Sequence, residues 1–278
     1  MQVRSYAKIN WSLRITGRRA DGYHDLETLF QTISLHDVLT FRPSQRMTLA
    51  CDDDTIPTDE SNLILRAARA LDAPPLEITL QKRIPAGGGL GGGSSNAAAT
   101  LLAINEMFAM STPRERLHDI ALSLGSDVPF FLVGGTACAT GRGEQLVPLP
   151  AAAPIPLLLL FPEERVATKE AFARIGTYSE PAGLERYRNA ISNDLLSHGE
   201  LLVNDFEAAI FSLHPHLREL KARLLRTGAA WAGMTGSGST IVGAYRSQAL
   251  RDAAIADFGD MRCAAAETTG EPLRVERR

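Results

Sequence analysis

The sequence predicts an α+β protein in two parts. Three observations carry the prediction. Helix-period and strand-period segments follow one another without the regular strand–helix–strand recurrence of a parallel sheet. A strand pattern runs into "PAGGGLGGGSSNAAA" at residues 85–99, which places six glycines in seven positions and then turns into a helix former. Finally, "PLPAAAPIP" at 148–156 shifts the composition and divides residues 1–150 from 151–278.

Along the first part, "SYAKINWSLRI" and "LTFRPSQRMTLAC" read as strands, and "SNLILRAARALDA" has helical apolar spacing after a Ser/Asn start. Leu76, Ile78, Leu80 and Ile84 alternate in "LEITLQKRI", a half-buried strand leading into the glycines. Ser94 or Ser95 is the expected N-cap of the next helix, "NAAATLLAINEMFAM". "TPRERLHDIALSLG" is a second helix, and Asp127 follows it, ahead of "VPFFLV", which reads as an apolar strand. In the second part "PIPLLLLFP" is a buried strand, too short and proline-bounded to span a bilayer. "DLLSHGELLVNDFEAAIF" and "HPHLRELKARLLRTG" read as helices, "AAWAGMTGSGSTIVGAY" and "PLRVERR" as strands.

The bulk composition of the 278 residues is that of an ordinary globular chain, 45% hydrophobic and 22% charged. Its 29 basic and 32 acidic residues are dispersed and sum to −3, which argues against a nucleic-acid binder. Cys51, Cys138 and Cys263 stand far apart, suiting a reducing compartment better than a disulfide framework. The opening residues lack the apolar core of a signal peptide and no stretch has membrane-spanning length, so the expectation is a cytoplasmic protein without a membrane partner. The acceptor-like "NWS" at Asn10 is then inert.

A glycine loop that opens a helix suits phosphate, because the first helical turn offers unpaired N–H groups and the positive end of the macrodipole. No Gly-Lys-Ser/Thr follows, which excludes a P-loop. Gly87, Gly89 and Gly92 satisfy G-x-G-x-x-G, but about 20 residues on, where a dinucleotide fold needs an acidic strand end, the chain starts a helix with "STPRERLHD". "DFG" at 257–259 has no accompanying H-R-D loop or V-A-I-K strand and is fortuitous. A flexible hinge fits poorly between a strand and a helix start.

Four other stretches complete the reading. "AKIN" puts Lys8 and Asn10 on one face of a strand. "DGYH" at 21–24 is a turn with a ring and an imidazole, "GSDVP" carries Asp127, and "MTGSGST" at 234–240 is a second glycine turn whose plainest reading is a hairpin. Each is weak alone. In this order, together with "GGGLGGGSSNAA", they resemble the GHMP kinases, and "RADGYH" with the extended loop is similar to the branch acting on 4-diphosphocytidyl-2-C-methyl-D-erythritol. The resemblance runs from about Tyr6 to Tyr245.

That resemblance implies a two-domain GHMP kinase fold, with a ribosomal-S5-like N-terminal domain and a ferredoxin-like C-terminal domain. It implies transfer of the γ-phosphoryl of ATP to the 2-hydroxyl of the methylerythritol, in the non-mevalonate isoprenoid precursor pathway. Asp127 would be the base and Lys8 its neighbour, orienting the hydroxyl. Pro85, Ala86, Gly87, Gly88, Gly89, Leu90, Gly91, Gly92, Gly93, Ser94 and Ser95 would wrap the ATP phosphates, with Asn62 and Lys82 on the adenine side. Mg²⁺ would accompany the phosphates; no dedicated protein ligand stands out, Ser95 and water-mediated coordination both being open. Tyr23 and His24 would read the cytosine, Phe172 would close a sandwich on it, Thr168 would touch the substrate and Asn10 the methylerythritol hydroxyls. The family often has alanine where Ser126 stands, so a hydroxyl able to bond Asp127 is a departure, and residues 163–197 match least well. A monomer or homodimer is expected. The competing readings are a homoserine or phosphomevalonate kinase of the same superfamily, which has no base to read, and a silent nucleotide and sugar-phosphate sensor, which would not need both Lys8 and Asp127.

Overall fold

The computed structural model describes residues 1–150, 153–270, 273 and 275–276. It opens with a long antiparallel pair, β1 (Gln2–Arg18) and β2 (His24–Pro43), in register from Gln2 opposite Thr40 to Arg18 opposite His24. Pro43 and the turn after it end β2, so "LTFRPSQRMTLAC" forms two strands rather than one, the second being β3 (Thr48–Cys51). After α1 (Leu63–Ala70), β4 (Leu76–Gln81) pairs with β2 antiparallel and with β3 in parallel.

The helix after the glycines, α2 (Gly92–Met107), begins earlier than the serines predict. Its cap residue is Gly91, in the left-handed region at φ +68°, and no side chain caps the turn. The helix is buried over most of its middle, as a central helix should be; Ala97, Ala98, Ala99 and Ala103 are inaccessible and let it lie close to its neighbours. There follow α3 (Arg114–Leu124) and α4 (Val128–Val133). The segment expected as an apolar strand is therefore a helix. Pro129 sits in its first turn, where a missing N–H costs nothing, and Phe130 and Phe131 bury against one another and the core. β5 (Thr136–Thr140) then pairs with β2, and β6 (Gln145–Leu149) with β5.

The second sheet contains β7 (Pro156–Leu160), whose five residues are all buried. Next come α5 (Thr168–Ala173), α6 (Leu184–Asn193), α7 (Phe206–Leu213) and α8 (Pro215–Arg226). The single helix expected over 194–211 is broken: a short 3₁₀ turn at Leu195–Ser197 gives way to extended chain, where Asn204 bridges Leu13. The cause is side-chain bonding to distant parts of the chain, which holds 204–205 in a non-helical path. Asp205 accepts from the Ile15 amide at 2.7 Å and from Ser179 at 2.9 Å, and Asn204 donates to the carbonyls of Met234 and Gly236.

β8 (Trp231–Met234) and β9 (Ile241–Ala244) form the hairpin that carries the second glycine turn; α9 (Gln248–Ile255) and β10 (Cys263–Glu267) complete the sheet. Its order, β10-β7-β9-β8, is antiparallel throughout. Helical crossovers that carry the chain from each central strand to an outer one, β7 to β8 and β9 to β10, make the ferredoxin-like arrangement. The chain then returns to the first sheet, where β11 (Val275–Glu276) pairs with the start of β1 and completes seven strands. The rest of "PLRVERR" apart from Leu273 lies outside the described residues, as do Ala151 and Ala152 at the expected division.

Candidate active site

The glycine loop is anchored before it begins. Asp37, in the middle of β2, is completely buried, and its carboxylate accepts from the backbone amides of Arg83 at 2.7 Å and Ile84 at 2.8 Å. It also holds the Lys82 ammonium at 2.6 Å. The only trace of this anchor in the sequence is a charged residue inside the apolar run "ISLHDVLTF".

Beyond Ile84 every residue from 85 to 94 lines a cavity of about 400 Å³, together with Asn62, Lys82 and Asn96. Ser95 does not. It is buried, and its hydroxyl accepts from Ser5 at 2.7 Å. Asn62 borders the cavity as the N-cap of α1, its amide oxygen accepting from Ile64 and its nitrogen donating to Pro57. Lys82 is held by Asp37 close against the loop: a Cβ on Gly92 would lie 3.1 Å from its Nζ.

A second cavity, of about 600 Å³, brings together Lys8, Asn10, Tyr23, His24, Asp127, Thr168 and Phe172. Gly89 and Gly91 line both cavities, so the glycine loop is their common wall. Gly91 also needs to be bare for packing. A Cβ there would meet the Phe131 ring at 2.8 Å and the Lys8 stem at 3.1 Å.

Lys8 is buried beneath the loop, its amide donating to the Leu90 carbonyl at 3.0 Å. Its ammonium donates to Asn10 Oδ1 at 2.7 Å and stands 3.9 Å from Asp127 Oδ2. Burial pulls the Lys8 pKa below the ordinary lysine value, and the Asp127 carboxylate opposes that shift. Asp127 sits at the start of α4 without capping it, its side chain 37% exposed to the cavity mouth. Ser126 also lines the cavity; among the described residues no hydrogen bond joins its hydroxyl to Asp127.

Asn10 is engaged at both ends of its amide. Its oxygen accepts from Lys8 and from the Gly236 amide at 3.0 Å, and its nitrogen donates to Thr28 at 2.8 Å. The second glycine turn is thus fastened to the first sheet, and Ser237 within it bonds Thr168 at 3.0 Å. Thr28, Thr235 and Ser237 were legible only as members of a strand and a turn, not as parts of the site.

Two of the residues expected at the cytosine stack on one another. Phe172 lies parallel to the His24 ring, centroids 4.9 Å apart, rather than facing Tyr23 across a gap. Tyr23 is 55% exposed, with the Arg142 guanidinium 4.9 Å above its ring. Burial, and secondarily Arg18, lowers the His24 pKa, which favours neutral imidazole.

A glycine-walled cavity backs onto the Lys8–Asp127 pair, and the chain is a small-molecule kinase of the GHMP class: models of the GHMP kinases N terminal domain and the GHMP kinases C terminal domain match residues 62–135 and 187–261. Within the GHMP kinases, the chain belongs to the family of 4-diphosphocytidyl-2-C-methyl-D-erythritol kinases. It is 40% identical over 267 residues to the protein of that name from Chlorobium chlorochromatii (strain CaD3), covering 92% of each chain. It is 41% identical over 256 residues to that of Prosthecochloris aestuarii (strain DSM 271 / SK 413), covering 89% of this chain and 90% of the other. A crystal structure of a 4-(cytidine 5'-diphospho)-2C-methyl-D-erythritol kinase matches with a TM-score of 0.85 at 35% identity, over 98% of this chain and 100% of that one. Homoserine kinase from Cytophaga hutchinsonii ATCC 33406 shares the fold, with a TM-score of 0.69 at 21% identity over 99% and 96% of the chains.

Proposed function

We propose that this chain transfers the γ-phosphoryl of ATP to the 2-hydroxyl of 4-diphosphocytidyl-2-C-methyl-D-erythritol, in the non-mevalonate route to isoprenoid precursors. The observation that carries the reading is the shared wall. The loop 85–94 cradles a triphosphate in one cavity, and through Gly89 and Gly91 presents its end to the Lys8–Asp127 pair in the other.

A hydroxyl oxygen can sit about 2.8 Å from both Lys8 Nζ and Asp127 Oδ2, because the 3.9 Å between them leaves an open triangle. Lys8 then donates to the acceptor oxygen while Asp127 takes its proton, as the new bond to the γ-phosphorus forms and the bond to the β,γ-bridging oxygen breaks to release ADP. With a largely dissociative transition state, holding the hydroxyl in line matters as much as basicity. Asn10 braces Lys8 and ties it to the second glycine turn, which supports a positioning role beside any contact with substrate hydroxyls. Tyr23 and His24 present a ring face and a polar edge to the cytosine, with Phe172 and Thr168 closing over it from the second part of the chain, 151–278.

Among the described residues no cluster of three acidic, His or Cys side chains forms a metal site. The donors near the loop fit Mg²⁺ all the same, since it is usually held by substrate phosphates and one or two carboxylates. Asp127, in the adjoining cavity, is the carboxylate that would face the ion, and Asn96 a neutral oxygen donor in the loop cavity. When bound, the ion offsets phosphate charge. The reading places the enzyme in the cytoplasm as a monomer or homodimer, without nucleic-acid or membrane partners; among the described residues no helix is long and apolar enough to cross a membrane.

ADP release tests the function, measured with the cytidylated substrate, homoserine, phosphomevalonate or no acceptor. Turnover confined to the first is expected; turnover on another acceptor overturns the substrate assignment.

A further inference from the structure

One turn into α2 a polar side chain has no partner. Asn96 is 3% exposed, its Oδ1 has no hydrogen-bond partner, and no described residue bonds its amide nitrogen. Its backbone carbonyl accepts from the Thr100 hydroxyl at 2.8 Å, which leaves the side chain unspent. The amides of Asn10, Asn62 and Asn204, by contrast, are all spent on protein groups. A buried polar group without a partner is costly, and alanine would fit a helix already rich in it, so the asparagine points to something that binds there.

The surroundings narrow the ligand. Asn96 lines the glycine-loop cavity, where the free N–H groups of the helix start already supply donors to an anion. That cavity is lined by no carboxylate, and Lys82 is tied to Asp37. Among its polar lining side chains only Ser94 and Asn96 are hydrogen-bonded to no described residue, and Asn96 is the more deeply buried. An amide carries a hard oxygen acceptor and two N–H donors on one group. It can therefore face a cation, or water bound to one, and a phosphate oxygen together, whichever way it is turned.

We propose that the Asn96 side chain binds the magnesium–triphosphate unit, its oxygen toward the cation or its water and its nitrogen toward a phosphate oxygen. This rests on reading the loop as the ATP cradle. It moves the protein's contact to the ion from Ser95, whose hydroxyl is turned to Ser5, to the next residue.

Calorimetric titration of the full chain with the β,γ-imido analogue of ATP, with Mg²⁺ and with EDTA, tests it in wild type, Asn96→Leu and Asn96→Asp. Asn96→Leu should weaken binding of the magnesium complex about tenfold, the worth of one charge-assisted contact, and shrink the ratio of affinities with and without metal. Asn96→Asp should enlarge that ratio. The melting temperature of free Asn96→Leu should equal or exceed wild type, because an unpaired buried amide has gone. A wild-type ratio in both variants overturns the proposal. If wild type itself binds no nucleotide, the reading of the cradle fails first.

Discussion

Gly89 and Gly236 meet backbone to backbone: a Cβ on Gly236 would lie 3.0 Å from the Cα of Gly89, and one on Gly89 would come within 2.2 Å of the Thr235 carbonyl oxygen. The two glycine-rich turns, about 150 residues apart in sequence, interlock. Gly89→Ala should therefore cost about 3 kcal/mol or more of stability and abolish turnover, since rigid backbone blocks it. Gly87→Ala meets nothing within 4 Å, and at φ +75° should cost only about 1–2 kcal/mol of backbone strain. Urea unfolding of the two variants distinguishes packing from mere conformational need.

Asp127→Asn should lower kcat by about 10²–10⁴-fold with little change in KM. It should also lower the Lys8 pKa further, because the carboxylate is what opposes the effect of burial. A ¹⁵N-lysine titration of the variant reads this second effect, which loss of a base alone would not produce.

His24 carries a pH dependence whose sign follows from its lowered pKa. As pH falls below about 6.5, the unfolded chain takes up the proton before the folded one does. Stability is then fully present above that value and is lost as pH drops through the folded midpoint. Phe172→Ala, by exposing the imidazole, should raise the midpoint seen by NMR. It should also raise KM for the cytidylated substrate about tenfold with kcat nearly intact, as loss of one stacking face would.

Removing the anchor of the loop should be expensive. Asp37→Ala leaves Lys82 buried and uncompensated and frees two amides, a loss of about 3–5 kcal/mol. Double substitution with Lys82→Met should recover part of it, and a double-mutant cycle in denaturant measures how much.

The sequence announced the chemistry more clearly than the architecture that holds it. Strand–glycine loop–helix, the Lys8–Asn10 alternation and the hairpin at 234–240 were all readable, because each rests on short-range pattern. α4 was not: six apolar residues look alike as strand or helix, and only the packing of Phe130 and Phe131 decides. The break before α7 depends on Asp205 reaching Ile15, a contact 190 residues apart in sequence. The glycine density was legible as a demand for bare backbone. That part of the demand comes from another turn of the same chain, and not from phosphate, emerges only in three dimensions.

The tail that returns to β1 has a mechanical consequence. The chain leaves the first sheet through Ile155 and comes back through Thr268, and these two cross-bond, Thr268 amide to Ile155 carbonyl at 3.0 Å and Ile155 amide to Thr268 hydroxyl at 2.8 Å. Both tethers thus run through one point, and the Gly89–Gly236 contact, the bonds of β1 to residues 203–205 and a shared apolar cluster join the two parts along the seam. Parts joined at so many points cannot swing wide, so ligands must enter and leave past the turns and rings at the cavity mouth.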